Sequence, residues 1–402
     1  MKHYCIIGAG AAGISAIEGI RKIDKKSKIS LISDENIFPY SRVLLNFFVE
    51  GIIKKEDELF IKNKDFFKEQ NVDLYIGKRV EGVDFKKCKV FLESGEKIDY
   101  DSLLISTGAS AKKIDIPGAD DPYVMVFRTI EDANKILKNL KDIKEVVIIG
   151  GGPVGVKVAL SMANIGIKVN IVEVKDRLLF NQVDQCVAKK IESLFKNKGI
   201  KVFTQTSVSE IQRLNKQDLK VITSSGSSIL CQLVIMCIGV EPNVSFLRNS
   251  GMDVEDGIKL DNNLRTNVEN VFGAGDVGVC YDVVEEKFML HPIWPVAVEQ
   301  GMIAGMNMAG ANINYNGTVM FNSFQIEDLS IITAGMSNPK QGCEVYLFED
   351  KNRNLYRKIV MRDDYVVGMI WLNQVERAGV VVNLIRQKKC INFSPEELMI
   401  KN

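Results

Sequence analysis

The chain has 402 residues, too many for one hydrophobic core and suited to two or three domains. Lys and Arg number 52 against 51 Asp and Glu, a balance that excludes whole-chain attraction to nucleic acid or to an anionic membrane surface. Eight cysteines with no C-x-x-C pair, beside only two histidines, exclude a zinc site or disulfide framework and predict buried, reduced thiols.

His3–Ile7 reads as a buried strand entered directly from Met1, with no charged leader or cleavage site, which predicts a cytoplasmic protein. No apolar run approaches the ~20 residues that a membrane helix needs. Gly8, Gly10 and Gly13 follow the strand and open a helix through about Ile23; a second strand, 28–32, ends near Asp34. Each glycine has a physical reason: the first permits a tight turn, the second lets a pyrophosphate approach the backbone, and the third lets helix and strand pack closely. The helix N-terminus offers free N–H groups and partial positive charge, and the acid accepts hydrogen bonds from a ribose.

Further along, Pro117, Gly118 and Pro122 precede a helical pattern at 130–140. The nucleotide device then recurs. A strand at 146–149 leads into Gly150, Gly152 and Gly155, and a second strand, Lys168–Val172, ends at Glu173. A lone G-x-G-x-x-G is a weak signal, but two copies, each between strand and helix with an acid at the right distance, point to two dinucleotide sites. Glu173 suits the free 2′-hydroxyl of NAD and repels the 2′-phosphate of NADP, although Lys175 and Arg177 lie just beyond. A helix follows at 297–309. Strands are expected at 329–334, 345–348, 356–361 and 365–371, and an amphipathic helix at 376–386. Trp371 reads as a core residue.

In this order the two cradles resemble the pyridine-nucleotide-dependent flavin oxidoreductases of glutathione-reductase-like fold. Residues 103–108 (LLISTG) and 233–243 (LVIMCIGVEPN) resemble that family's two crossings between domains, and 266–277 (TNVENVFGAGDV) its second FAD motif. Together these segments cover about residues 1–310. The resemblance implies an α/β fold with two Rossmann-like dinucleotide-binding domains and a small α+β C-terminal domain. An FAD domain would be built from 1–112 and 239–320, an NAD domain from 113–238, and the last unit from 321–402. That last unit covers the flavin or mediates homodimer contact in relatives. FAD would be held by Gly8, Gly10, Ala11, Ala12, Gly13, Asp34, Glu35, Arg42, Thr107, Gly108, Gly275, Asp276 and Pro295. NADH would be held by Gly150, Gly152, Pro153, Val154, Gly155, Glu173 and Gly239.

Within that superfamily, disulfide reductases carry a redox cysteine on the helix facing the flavin, and this chain has none between Cys5 and Cys88. The P-Y-x-R pattern at Pro39, Tyr40 and Arg42 instead resembles rubredoxin and ferredoxin reductases, the flavin part of NADH-dependent nitrite reductases, and apoptosis-inducing factor. The implied activity is transfer of electrons from NADH through FAD to rubredoxin, ferredoxin or an iron–sulfur subunit. The alternatives are an NADH oxidase, an electron-input subunit of a larger complex, and an NADH-sensing flavoprotein. Two departures stand out. Asn46, Phe47 and Phe48 occupy the neighbourhood where ferredoxin-reductase-like relatives often place a Lys, and Lys157 stands where many relatives have a Glu near the nicotinamide. Lys157 either brings positive charge to the flavin or is a solvated helix lysine. His291, just before Pro292–Pro295, reads as structural, because hydride and electron transfer through flavin need no side-chain base.

Overall fold

The computed structural model describes residues 1–248, 250–392 and 394–400, with three five-stranded sheets among them. In chain order the first part forms β1 (His3–Ile7), α1 (Ala11–Ile23), β2 (Lys28–Ser33), the short α2 (Leu45–Glu50), β3 (Val72–Ile76) and β4 (Ser102–Ile105). The middle forms β5 (Val124–Val126), α3 (Ile130–Asn139), β6 (Glu145–Ile149), α4 (Pro153–Asn164), β7 (Lys168–Val172), α5 (Gln185–Asn197), β8 (Lys201–Phe203) and β9 (Leu233–Met236). After β10 (Val271–Gly273) and α6 (Trp294–Met308) come β11 (Phe321–Ile326), β12 (Leu329–Gly335), β13 (Glu344–Asp350), β14 (Leu355–Arg362), β15 (Tyr365–Leu372) and α7 (Ala378–Gln387).

The first sheet has the order β10–β4–β1–β2–β3 and the second β8–β7–β6–β9–β5, and every pairing in both is parallel. Their central strands are continuous apolar runs because both faces are covered, one by helices and the other by a three-stranded antiparallel sheet, residues 80–99 on the first and 208–231 on the second. Strand order reverses at β1 in the first sheet and at β6 in the second. A crevice opens beyond the carboxyl ends of the strands at such a point. The third sheet, β11–β12–β15–β14–β13, is antiparallel.

Two helices of the first unit are pressed together backbone to backbone. A Cβ added at Gly301 or Gly305 of α6 would overlap the carbonyl oxygen of Ala12 or Ala16 in α1, and one at Gly19 would overlap that of Met302. This contact aims the N-terminus of α6 at the same crevice as that of α1. The helix begins at Trp294, three residues before the sequence pattern suggested. Pro295 sits in its first turn, where a missing N–H costs nothing. The strand Phe321–Ile326 also escaped the sequence reading, because Asn322, Ser323 and Gln325 dilute its apolar alternation. Trp371 is buried, with the Arg357 guanidinium 4.6 Å from its ring centroid.

Side-chain clips tie the sheets to one another. Glu50 of α2 accepts hydrogen bonds from Ser161 and Asn164 of α4, both at 2.9 Å. Asp184 caps α5 by accepting the Val187 N–H, and also accepts from Tyr356 (2.6 Å) and Lys358 (3.0 Å) of β14. Among the described residues no helix is long and apolar enough to cross a membrane, and no three His, Cys, Asp or Glu gather as a metal site.

Candidate cofactor-binding site

The two glycine cradles have the same physical construction. Gly8 (φ +106°) and Gly150 (φ +107°) turn through backbone that other residues rarely adopt, and a Cβ on either would strike a carbonyl oxygen, of Ser106 or Cys237. A Cβ at Gly13 or Gly155 would overlap the carbonyl of Gly8 or Gly150. These four glycines serve the fold. Gly10 and Gly152 differ: their φ angles, −79° and −77°, suit any residue, and an added Cβ would meet no protein atom within 4 Å. The space above the middle glycine of each cradle is left open for something other than protein.

Each middle glycine is also the N-cap of its helix. Neither α1 nor α4 has a side-chain cap or an acidic residue in its first turn. Their free N–H groups and positive dipole ends are therefore uncompensated, which suits a phosphate. The residues present fit a dinucleotide at both places.

A cavity of ≈ 530 Å³ joins the helix ends. Gly8, Gly10, Ala11 and Ala12 line it from the first cradle, Asp34 and Glu35 from the end of β2, and Arg42 from the segment before α2. Thr107 and Gly108 follow β4, Gly275 and Asp276 follow β10, and Pro295 opens α6. Pro153, Val154 and Lys157 border it from α4. Gly13 is packed beneath the first cradle, whereas Gly150, Gly152, Gly155, Glu173 and Gly239 lie beyond the lining. Gly239 (φ +106°) turns the second crossing, and its carbonyl accepts the Lys112 N–H at 3.0 Å.

Several lining side chains are already held. Glu35 accepts from the Tyr40 hydroxyl at 2.6 Å and pairs with Arg42 at 2.5 Å; Tyr40 in turn accepts the Ile130 N–H at the start of α3. Burial pushes the Tyr40 phenol well above its ordinary range. Asp34, by contrast, is exposed at the rim. Asp276 pairs with Arg128 at 2.5 Å, and Arg128 also donates to the Ala109 carbonyl at 3.1 Å. Gly275 donates its N–H to the buried Gln300 at 2.8 Å. At the second cradle, Glu173 accepts the N–H groups of Gly151 (2.5 Å) and Lys175 (2.7 Å). Arg177 stacks 4.3 Å from the Phe180 ring centroid and bonds Asn338 at 2.7 Å.

Sequence reasoning missed Arg128, Phe127 and the cavity-facing Phe321–Phe324 stretch of β11. One signal was available for the first: Thr129 and Asp132 form a capping box at the start of α3, which fixes Arg128 just outside the helix. No cysteine is among the lining residues. Cys280 and Cys237 are withdrawn from it, and burial pushes both thiols up to about 12. His291 is buried one residue before the lining segment, its Nε2 2.7 Å from Asp282.

Comparison with known proteins agrees with this geometry. Residues 2–301 match pyridine nucleotide-disulphide oxidoreductases, and 321–389 match the rubredoxin NAD+ reductase C-terminal domain. The NADH-dependent phenylglyoxylate dehydrogenase subunit epsilon of Aromatoleum evansii is 29% identical over 388 residues, 96% of this chain and 91% of its own. The NADH-rubredoxin oxidoreductase of Clostridium acetobutylicum is 27% identical over 394 residues, 97% of this chain and 94% of its own. The ferredoxin reductase for the CYP199A2 system of Rhodopseudomonas palustris has the same fold. Its TM-score is 0.90 at 24% identity, over 99% of this chain and 97% of that one. The chain spans only 48% and 51% of the length of two further curated relatives. With two cradles of the same construction, the first lining the cavity and the helix after the second bordering it, and a family match over residues 2–301, the chain belongs to the pyridine nucleotide-disulphide oxidoreductases, enzymes that work with a flavin and a pyridine nucleotide.

Proposed function

We propose that the chain is an FAD-dependent NADH oxidoreductase that passes electrons to a small one-electron carrier such as rubredoxin or ferredoxin. The observation that carries this reading is the pair of uncapped helix N-termini, at Gly10 and Gly152, whose helices both border one cavity with no thiol in its lining. Bound flavin would supply two-electron acceptance from nicotinamide and one-electron release to a carrier. Without a cysteine at the cavity, a thiol relay to a disulfide substrate has no support.

FAD would lie along the first cradle, with Gly10, Ala11 and Ala12 at its pyrophosphate. Arg42, Thr107, Gly108, Gly275, Asp276 and Pro295 would face the rest of the molecule. An adenosine has room as well, since an adjoining cleft of ≈ 510 Å³ runs past Asp34, Lys78 and Arg79. Arg128 would hold Asp276 in place for the ribityl hydroxyls. The N-terminus of α6 would favour negative charge on the ring it faces.

NADH would use Gly152, Pro153 and Val154 at its pyrophosphate and Glu173 at its ribose. Each Glu173 oxygen accepts one backbone N–H, which leaves lone pairs for the ribose hydroxyls. Arg177 is committed to Phe180 and Asn338, which would leave it less available to a 2′-phosphate. The carrier reading draws support from the rubredoxin-reductase relatives and from the matching C-terminal domain. A second reading, electron input to a larger complex, is favoured by the dehydrogenase subunit that matches over 96% of this chain.

Anaerobic stopped-flow mixing with each nucleotide tests the assignment. NADH is expected to bleach the flavin about tenfold or more faster than NADPH, equivalent to about 1.4 kcal/mol of discrimination. Equal rates would remove Glu173 from the ribose site, and no bleaching by either nucleotide would remove the reductase reading.

A further inference from the structure

Among the described residues five basic side chains line the cavity, and four are already answered by an acid. Arg42 meets Glu35 and Arg128 meets Asp276, each at 2.5 Å; Lys78 meets Glu96 at 2.8 Å, and Arg79 approaches Glu93 at 4.0 Å. The fifth, Lys157, makes no hydrogen bond or ion pair with any described residue. It is half-buried in the second turn of α4, and burial alone lowers its pKa, with no neighbouring charge offsetting the shift. An ammonium drawn out of water without a counter-charge is destabilised, and an anion arriving beside it relieves that cost.

The surroundings explain why protein does not supply that anion. The nearest acid along α2, Glu50, is occupied by Ser161 and Asn164 of α4. One turn earlier in the two helices stand Asn46 and Lys157, and both line the cavity. The clip commits the Glu50 carboxylate to Ser161 and Asn164, and no ion pair joins it to Lys157. The phosphates of a dinucleotide are already provided for by the bare helix ends at Gly10 and Gly152, and Lys157 lies one turn further in than the second of these.

We propose that Lys157 is the counter-charge for the anionic reduced form of the flavin ring, carried on the nucleotide-binding helix and not on the flavin's own sheet. The proposal rests on the reading that this cavity binds flavin. The oxidised ring is neutral, so the attraction acts on the reduced state and raises the reduction potential. Two electrons and one proton reach the ring from reduced nicotinamide, and Lys157 keeps its own protons throughout.

The test compares purified wild-type holoenzyme with Lys157→Gln, Lys157→Met and Lys157→Arg. Flavin potentials are measured by equilibration with reference dyes, and NAD+ affinity by titration. Removal of the charge is expected to shift the flavin equilibrium toward the oxidised form about tenfold or more, which is about 30 mV for a two-electron couple. Lys157→Arg is expected to restore most of that shift, with no loss of NAD+ affinity in any variant. In flavin-free protein, Lys157→Met is expected to melt above wild type, since an uncompensated charge has been removed; this comparison remains available if the Gln variant does not fold. Equal potentials in all variants overturn the proposal. Lost NAD+ affinity at unchanged potential overturns it in favour of a nucleotide-phosphate contact. A wild-type protein that takes up no flavin overturns the underlying reading as well, and so separates the two failures.

Discussion

Gly10 and Gly152 show how much one residue can disclose. Neither needs glycine for its φ angle or for packing, and the open space above each is what the proposed pyrophosphates would require. Gly10→Val is expected to purify folded but colourless. Gly152→Val is expected to keep its flavin and lose reduction by NADH. Absorbance spectra and anaerobic NADH mixing check both, and a full flavin spectrum in Gly10→Val would contradict the placement. The glycine spacing was legible in the sequence because each role is local to one strand–turn–helix unit. Arg128 was not legible, because its partner Asp276 lies 148 residues away and only the folded chain brings them together.

The buried Asp282–His291 pair makes a residue-level statement about pH. Burial raises the Asp282 pKa, but the His291 bond and the Glu285 and Val284 N–H groups outweigh it and leave the carboxyl below its ordinary value. A carboxyl depressed in the folded state contributes stability above its unfolded pKa, and that stability is lost as pH falls through the folded value. Wild type should therefore lose melting temperature more steeply than Asp282→Asn below about pH 4, where an unfolded Asp titrates. At neutral pH the Asn variant should be about 1.5–3 kcal/mol less stable, the worth of a hydrogen bond to a charged group. Parallel melting curves across that range would contradict the pairing.

At the scale of elements, the contact between α1 and α6 links fold and site. Gly301 has no room for a methyl group beside the Ala12 carbonyl, so Gly301→Ala must push the two helices apart. The expected cost is about 1–3 kcal/mol, with flavin held less tightly because the N-terminus of α6 moves with the helix. Thermal melts and flavin content of the dialysed protein measure both, and an unchanged flavin content would separate the packing from the site. Long apolar strands and the helices of the two cradles were legible because their periodicity is strong. The start of α6 was harder to read: two prolines flank Trp294, and only one of them lies inside the helix, in a first turn that tolerates it. β11 escaped notice because half of its residues are polar, although Phe321 and Phe324 reach the cavity.

At the scale of the molecule, the chain crosses twice between the parallel sheets, and the antiparallel sheet closes over the cavity through β11. The crossings could be read from two short segments, 103–108 and 233–243, whose glycines turn at positive φ. The clips made by Glu50, Asp184 and Arg177 could not be read, since each joins surfaces far apart in sequence. Asp184 combines a helix cap with two contacts to β14. Asp184→Ala is thus expected to lower stability by about 2–4 kcal/mol, combining a lost cap with a broken, largely buried ion pair. A melting temperature equal to wild type would show that the sheets are not coupled there.

The most direct test of the reductase reading is a single anaerobic titration. Purified holoenzyme is reduced with one equivalent of NADH, and oxidised rubredoxin or ferredoxin is then added while the flavin and carrier spectra are followed together. The flavin is expected to bleach on NADH addition and to regain its colour in step with carrier reduction, two carriers per flavin. A flavin that NADH leaves oxidised, or one that stays bleached in the presence of either carrier, would contradict electron transfer from NADH through this chain to a one-electron partner.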